Sequence, residues 1–171
     1  MAKINTAERV SAEASDNFVF QRSLLAYHAA SARIAGDVLD LFAGTGQLGI
    51  EALSRGAAEC VFVDESRDAL KIVSENLSRC KLEGRVMQSD GPGYLERGGK
   101  FDIIFLDPPY DTTLLDKCLE IVQNVDILTD GGIIVCESRR EKVLPELKAP
   151  FARIIDRNYG KIKITVYKKE S

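Results

Sequence analysis

The sequence is poor in the residues that build metal sites. Among its 171 residues there is one histidine, and the four cysteines, Cys60, Cys80, Cys118 and Cys136, form no Cys-x-x-Cys pair. That spacing argues against zinc or any other metal, and Cys60 and Cys136, set in apolar runs, read as buried reduced thiols. No apolar run approaches the roughly 20 residues that cross a bilayer. The opening Met-Ala-Lys-Ile-Asn-Thr-Ala-Glu lacks the apolar stretch of a secretory signal, so a cytoplasmic chain with no membrane partner is expected. Nor is there a surplus of positive charge: 23 Lys and Arg face 26 Asp and Glu, for a net charge of -3. Any nucleic acid must therefore be met through a local patch. Repeats, low-complexity tracts and linkers are absent too. A single domain is expected, with 1–36 as a helical lead-in and 37–171 as the core.

What is present from Val38 onward is an alternation of short β-branched or apolar runs with longer amphipathic stretches. That alternation is the mark of an α/β fold with a mostly parallel sheet and helices on both faces. Strands are expected at 38–42, 60–64, 85–88, 102–106, 132–137, 152–157 and 162–167, and helices at 47–55, 66–80, 113–125 and 142–148. Ser66 is a natural N-cap for the second helix. Only Asn158-Tyr159-Gly160 separates the last two strands, which predicts a C-terminal antiparallel hairpin. Ahead of the sheet, Ser15-Asp16-Asn17 reads as the cap of a helix over 18–34 that carries the lone His28, a surface residue on this reading.

Between the first strand and first helix runs Asp40-Leu41-Phe42-Ala43-Gly44-Thr45-Gly46-Gln47-Leu48-Gly49, a Gly-x-Gly-x-x-Gly loop. Asp64 lies 20 residues beyond Gly44 at the end of the second strand, followed by Glu65 and Ser66. Glycines admit a ligand close to the backbone, and a strand-end carboxylate suits ribose hydroxyls. Asp40 distinguishes among nucleotide ligands, because a carboxylate beside the loop opposes an anionic pyrophosphate and favours a cation. S-adenosyl-L-methionine carries an ammonium and a sulfonium and no phosphate. Asp40 is thus expected at its methionine end, directly or through water, with Phe42, Ala43, Gly44, Thr45 and Gly46 around it. Asp64 would take the ribose hydroxyls, Asp90 and Gly91 the adenine, and Glu65 and Ser66 are expected in the cofactor site too.

After the apolar Ile103-Ile104-Phe105-Leu106 comes Asp107-Pro108-Pro109-Tyr110. Consecutive prolines hold the backbone extended, so the Asp107 carboxylate and Pro108 carbonyl project in fixed directions. An exocyclic amine on a base is a poor nucleophile, since its lone pair is delocalised into the ring. Hydrogen bonds from its two N–H groups to Asp107 and Pro108 would orient the nitrogen and favour tetrahedral geometry, an effect worth several kcal/mol. Tyr110 would stack on the base, which must leave its helix to arrive. Asp107 closes the cofactor side as well.

These stretches, with Gly49-Ile50-Glu51-Ala52-Leu53-Ser54-Arg55-Gly56-Ala57 and the closing Tyr159-Gly160, resemble the bacterial 16S ribosomal RNA guanine-N2 methyltransferases of the RsmD type. The resemblance implies a Rossmann-like class I methyltransferase fold. It also implies methyl transfer to the N2 amino group of a guanine in 16S rRNA, as free RNA or in the small-subunit particle, and roles for Asp40, Gly44, Asp64, Asp90 and Asp107 to Tyr110 as above. The first 36 residues depart from that family's basic, glycine-rich opening and look more like the lead-in helix of other class I methyltransferases. Arg139, Arg140 and Lys142 follow the fifth strand, and Arg139 and Arg140 are the better candidates for phosphate contact, whereas Lys161, Lys163, Lys168 and Lys169 read as a solvated or edge-protecting face. Other readings stand beside this one: an amino-methyltransferase acting on DNA adenine N6 or on protein glutamine, and a module that binds S-adenosylmethionine without catalysis. Asp107 tells against the glutamine branch, where Asn is usual, and the short chain against DNA enzymes with a target-recognition domain. A nicotinamide oxidoreductase has no use for Asp40 or the double proline.

Overall fold

A computed structural model describes residues 34–171. The expected lead-in helix, its Ser15-Asp16-Asn17 cap and His28 lie outside the described residues, apart from Ile34. Seven strands form one sheet: β1 (Asp37–Asp40), β2 (Glu59–Asp64), β3 (Arg85–Gln88), β4 (Phe101–Leu106), β5 (Leu128–Arg139), β6 (Phe151–Tyr159) and β7 (Ile162–Lys169). Their order is β3-β2-β1-β4-β5-β7-β6. The first five run parallel, while β7 pairs antiparallel with both β5 and β6. Among the described residues the helices are α1 (Gln47–Ser54), α2 (Arg67–Cys80), α3 (Gly91–Glu96) and α4 (Leu114–Asn124).

The parallel strands are apolar at consecutive positions because both faces are covered. Leu39, Val61, Val63, Ile104 and Leu106 join one core with Leu95, Leu115, Leu119 and Val122 from α3 and α4. Val38, Cys60, Phe62, Ile103 and Phe105 join a second with Leu48, Ala52, Val73 and Leu77 from α1 and α2. Helix α4 buries Leu115, Cys118, Leu119 and Val122, the 3–4 spacing of one helical stripe. As predicted, the Ser66 hydroxyl caps α2, accepting from the Ala69 N–H at 3.2 Å. Chain order reverses where β1 sits beside β4, so the loops following these strands diverge and leave a crevice at their carboxyl ends.

One local expectation fails, and one helix was not foreseen. Residues 142–148 are not helical. Pro145 disfavours helical backbone at Leu144, and the segment instead lies as a strap whose polar groups bond to other elements. The Leu144 carbonyl accepts from Arg153 at 2.8 Å, the Pro145 carbonyl from the Tyr167 hydroxyl at 2.6 Å, and the Lys148 N–H donates to Gln123 at 2.9 Å. Leu144 and Leu147 are buried beneath it. Gly91-Pro92-Gly93 forms the first turn of α3, a helix that the sequence reading did not include. Asp90 caps it, Oδ1 accepting from the Gly93 N–H at 2.8 Å, and Pro92 occupies the first turn, where a missing N–H costs nothing.

Candidate active site

A cavity of about 460 Å³ opens at the carboxyl ends of β1, β2 and β4, within the range typical of small-molecule sites. Among the described residues its wall contains four carboxylates, Asp64, Glu65, Asp90 and Asp107, and no lysine or arginine. Such a lining repels phosphate and suits a cation.

The glycine loop forms one side. Gly44 and Gly46 adopt left-handed backbone, with φ of 54° and 80°, which β-carbon-bearing residues resist. Phe42, Ala43, Gly44 and Thr45 line the cavity as expected. Gly46 does not; it precedes α1 and packs on α2, where a β-carbon would stand 3.1 Å from Val73. Gly49 serves helix-to-sheet packing, since a β-carbon there would lie 2.3 Å from the Phe62 ring.

The acids differ in how they are held. Asp64 is anchored by backbone: Oδ2 accepts from the Gly44 N–H at 3.0 Å and Oδ1 from the Ser66 N–H at 2.9 Å. Glu65 and Asp90 face the cavity from exposed positions, and Ser66 stays at its helix cap outside the lining. Gly91 is packed so closely that a β-carbon would meet the Phe42 ring at 2.6 Å. Asp40 lies behind the loop rather than in the wall, 1% exposed, with Oδ2 accepting from the Gly49 N–H at 3.1 Å. Burial pushes its carboxyl up to about 7, the Gly49 hydrogen bond works against this, and Asp64 adds to it.

Asp107, Pro108, Pro109 and Tyr110 line the opposite side. Burial, followed by the charges of Glu137 and Asp40, raises Asp107 well above the usual carboxylate range. Such an aspartate holds a proton more readily than a surface carboxylate does. Tyr110 is 38% exposed at the rim, its hydroxyl donates to Glu137 Oε1, and the Arg139 guanidinium sits 5.6 Å from the ring centroid. Arg139 also pairs with Asp111 at 2.9 Å.

Sequence reasoning missed Leu41, Gln47, Leu48, Ser89 and Leu114 in the lining and Glu137 behind Tyr110. Leu41, Gln47 and Leu48 are contiguous with the glycine loop and Ser89 with Asp90, a signal that adjacency alone could have supplied. Of the basic residues, Arg139 and Arg140 are exposed beside this rim, and the Arg140 N–H donates to the Lys161 carbonyl at 3.0 Å. Lys142 reaches Asp116 at 2.5 Å. The edge-protection reading of the lysines fails, because β7 lies inside the sheet between β5 and β6. Lys163 is buried, and Lys169 is paired with Asp126 and Asp130. Burial raises the Cys60 and Cys136 thiols and pushes Cys118 up to about 12, as befits inert core sulfur.

Residues 23–168 match the family described as "Conserved hypothetical protein 95". YlbH of Bacillus subtilis strain 168, named provisionally as an rRNA methyltransferase, is 39% identical over 140 residues, which cover 78% of this chain and 76% of that protein. The ribosomal RNA small subunit methyltransferase D of Escherichia coli K12 is 32% identical over 135 residues, covering 78% of this chain and 68% of its own length. Among solved structures, yhhF of Escherichia coli, provisionally a methyltransferase, superposes with a TM-score of 0.81 at 29% identity, over 89% of this chain and 86% of that one. The chain belongs to the conserved hypothetical protein 95 family, the RsmD family of ribosomal RNA methyltransferases.

Proposed function

We propose that the protein methylates the exocyclic N2 amino group of a guanine in small-subunit ribosomal RNA, with S-adenosyl-L-methionine as donor. The observation that carries the reading is the position of Asp107-Pro108-Pro109-Tyr110 at the rim of a cavity whose described residues include four carboxylates and no cationic side chain. The wall fits the donor's charge. Asp64 receives the ribose hydroxyls, Asp90 and Gly91 hold the adenine, and the loop from Phe42 to Thr45 takes the methionine end, with Asp40 acting on its charge from behind the loop. When bound, the donor supplies an electrophilic methyl group attached to a sulfonium.

The remaining chemistry belongs to the chain. Asp107 and the Pro108 carbonyl accept the two N–H groups of the base's amine and aim its nitrogen at the methyl. The carboxylate stabilises the positive charge that grows on nitrogen and takes up the proton that the nitrogen releases. Tyr110 stacks on the extruded base. Arg139, Arg140 and Lys161 border this half of the site and suit the flanking phosphates, the local patch that an otherwise acidic chain needs. A ribosomal RNA substrate places the protein in the cytoplasm.

The test is transfer of labelled methyl to small-subunit particles lacking the modification, with naked rRNA and DNA in parallel, followed by nucleoside analysis. N2-methylguanosine is expected. Methyladenine in DNA would replace the reading with an adenine enzyme, and donor binding with no transfer to any acceptor would leave a non-catalytic module.

A further inference from the structure

Glu137 occupies a place that its sequence neighbours do not explain. In the β4–β5 register Leu106 stands opposite Cys136, so the next step outward sets Asp107 beside Glu137 at the mouth of the site. Leu106 and Cys136 share one core, and alternation along the strands turns Asp107 and Glu137 together to the other side. Glu137 is 5% exposed. A carboxylate so deep is costly unless bonded, and Glu137 Oε1 accepts a hydrogen bond from the Tyr110 hydroxyl. Tyr110 is thus held at its tip by Glu137 and along one face by Arg139 at 5.6 Å, while it lines the large cavity.

We propose that Glu137 is a positioning residue for methyl transfer, fixing through Tyr110 the plane on which the target base is held in front of Asp107. The assignment rests on the proposed function. A ring free to turn about its χ angles would present its face only part of the time, whereas a hydroxyl tethered to a buried carboxylate spends no binding energy on ordering the ring when the base arrives. Glu137 has a second consequence. Asp107 is faced by two like charges, Glu137 on β5 and Asp40 on β1, with the Tyr110 phenol and the Arg139 guanidinium beyond, and Glu137 is the stronger of the two charges. It thereby strengthens the hold of Asp107 on a proton.

The experiment measures kcat, the KM for RNA, the donor Kd and the melting temperature of the full chain carrying Glu137→Leu, Glu137→Gln, Tyr110→Phe or the Leu/Phe pair. Glu137→Leu should raise the KM for RNA about tenfold and lower kcat, the scale of a partly lost base stack, with donor Kd within about twofold. Tyr110→Phe should reproduce the RNA effect, and the double variant should be no worse than the single ones, because both remove one contact. Glu137→Gln keeps an acceptor for the phenol and should restore most of the RNA affinity, while the acid limb of the kcat profile moves to lower pH as Asp107 loses its like-charged neighbour. A purely structural role would lower the melting temperature and leave kcat/KM of the folded fraction and the pH limb unmoved, which overturns the proposal. Additive effects of Glu137→Leu and Tyr110→Phe overturn it as well, and Tyr110→Phe alone decides if Glu137→Leu does not fold. Absence of RNA methylation by the unaltered protein would overturn the proposed function and this role with it, whereas normal methylation with an indifferent Glu137 overturns this role alone.

Discussion

The two halves of the rim are built by different means. Around β1, β2 and β3, the glycine loop and strand ends set acids by main-chain groups: Asp64 by the Gly44 and Ser66 N–H groups, Asp40 by that of Gly49. Around β4, β5 and the hairpin, side chains hold one another, Tyr110 by Glu137 and Arg139, and Arg139 by Asp111. Main-chain anchoring gives a fixed acidic receptor for one unvarying small cation. Side-chain anchoring gives a surface with exposed arginines that can grip part of a polyanion. On the proposed function, the donor would be met by the acidic side and the polyanion by the side that carries the exposed arginines.

The sharpest way to break this division is a pair of substitutions, one in each half. Asp107→Ala should lower the rate of transfer by at least about 10² to 10³, the scale of losing an orienting and charge-stabilising group, with donor Kd changed by less than about threefold. Asp64→Ala should do the reverse, weakening the donor by about 10 to 100 times through lost charge-assisted hydrogen bonds while RNA affinity holds. Calorimetric titration of the donor alongside single-turnover rates reads both. If Asp107→Ala weakens the donor as much as Asp64→Ala does, the halves are not separate.

The parts of both halves that were legible in the sequence are the local ones. A glycine loop, a strand-end acid and Asp-Pro-Pro-Tyr are contiguous strings whose backbone demands can be read without tertiary knowledge. Glu137 is 27 residues from Tyr110 and meets it only because β4 and β5 pair in one register. No local pattern marks it. The strap over 142–148 was misread for a related reason: its amphipathic spacing suggested a helix, but its carbonyls are claimed by Arg153 and Tyr167 from the distant hairpin. Helix α3 was missed because glycine and proline dominate its first turn, although the Asp90 cap was visible. Strand count and the antiparallel hairpin were legible because alternation and a short turn leave few topologies open.

A smaller effect tests whether charge in the donor half is matched to a cation. Asp40 titrates at about 7 in the fold and near 3.8 when unfolded. Between those values the folded chain holds a proton that the unfolded chain has released, so stability falls as pH rises from about 4 to about 7 and levels off above. Asp40→Asn removes this contribution, up to about 4 kcal/mol by the size of the shift, and should flatten the urea midpoint between pH 5 and pH 8, leaving the similarly signed contribution of Asp107. A bound cation favours the ionised carboxyl, so donor affinity should rise with pH up to about 7 in the unaltered protein and much less in Asp40→Asn. A flat donor affinity in both would place the donor's charge away from Asp40.

The smallest effect probes the basic half. Arg140 and Lys161 are exposed and joined through main chain where β5 meets the hairpin turn, while Lys169, at the other end of β7, is held by Asp126 and Asp130. Each phosphate contact releases a condensed counterion, so Arg140→Ala and Lys161→Ala should each reduce the slope of log affinity against log salt by about 0.7 to 0.9. Lys169→Ala, at the far end of the strand, should leave the slope as it was. Donor affinity should not respond to any of the three, since none of them lines the cavity. Equal slopes in all variants would mean that the polyanion approaches over another surface, and the charge gradient across the rim would then serve the donor alone.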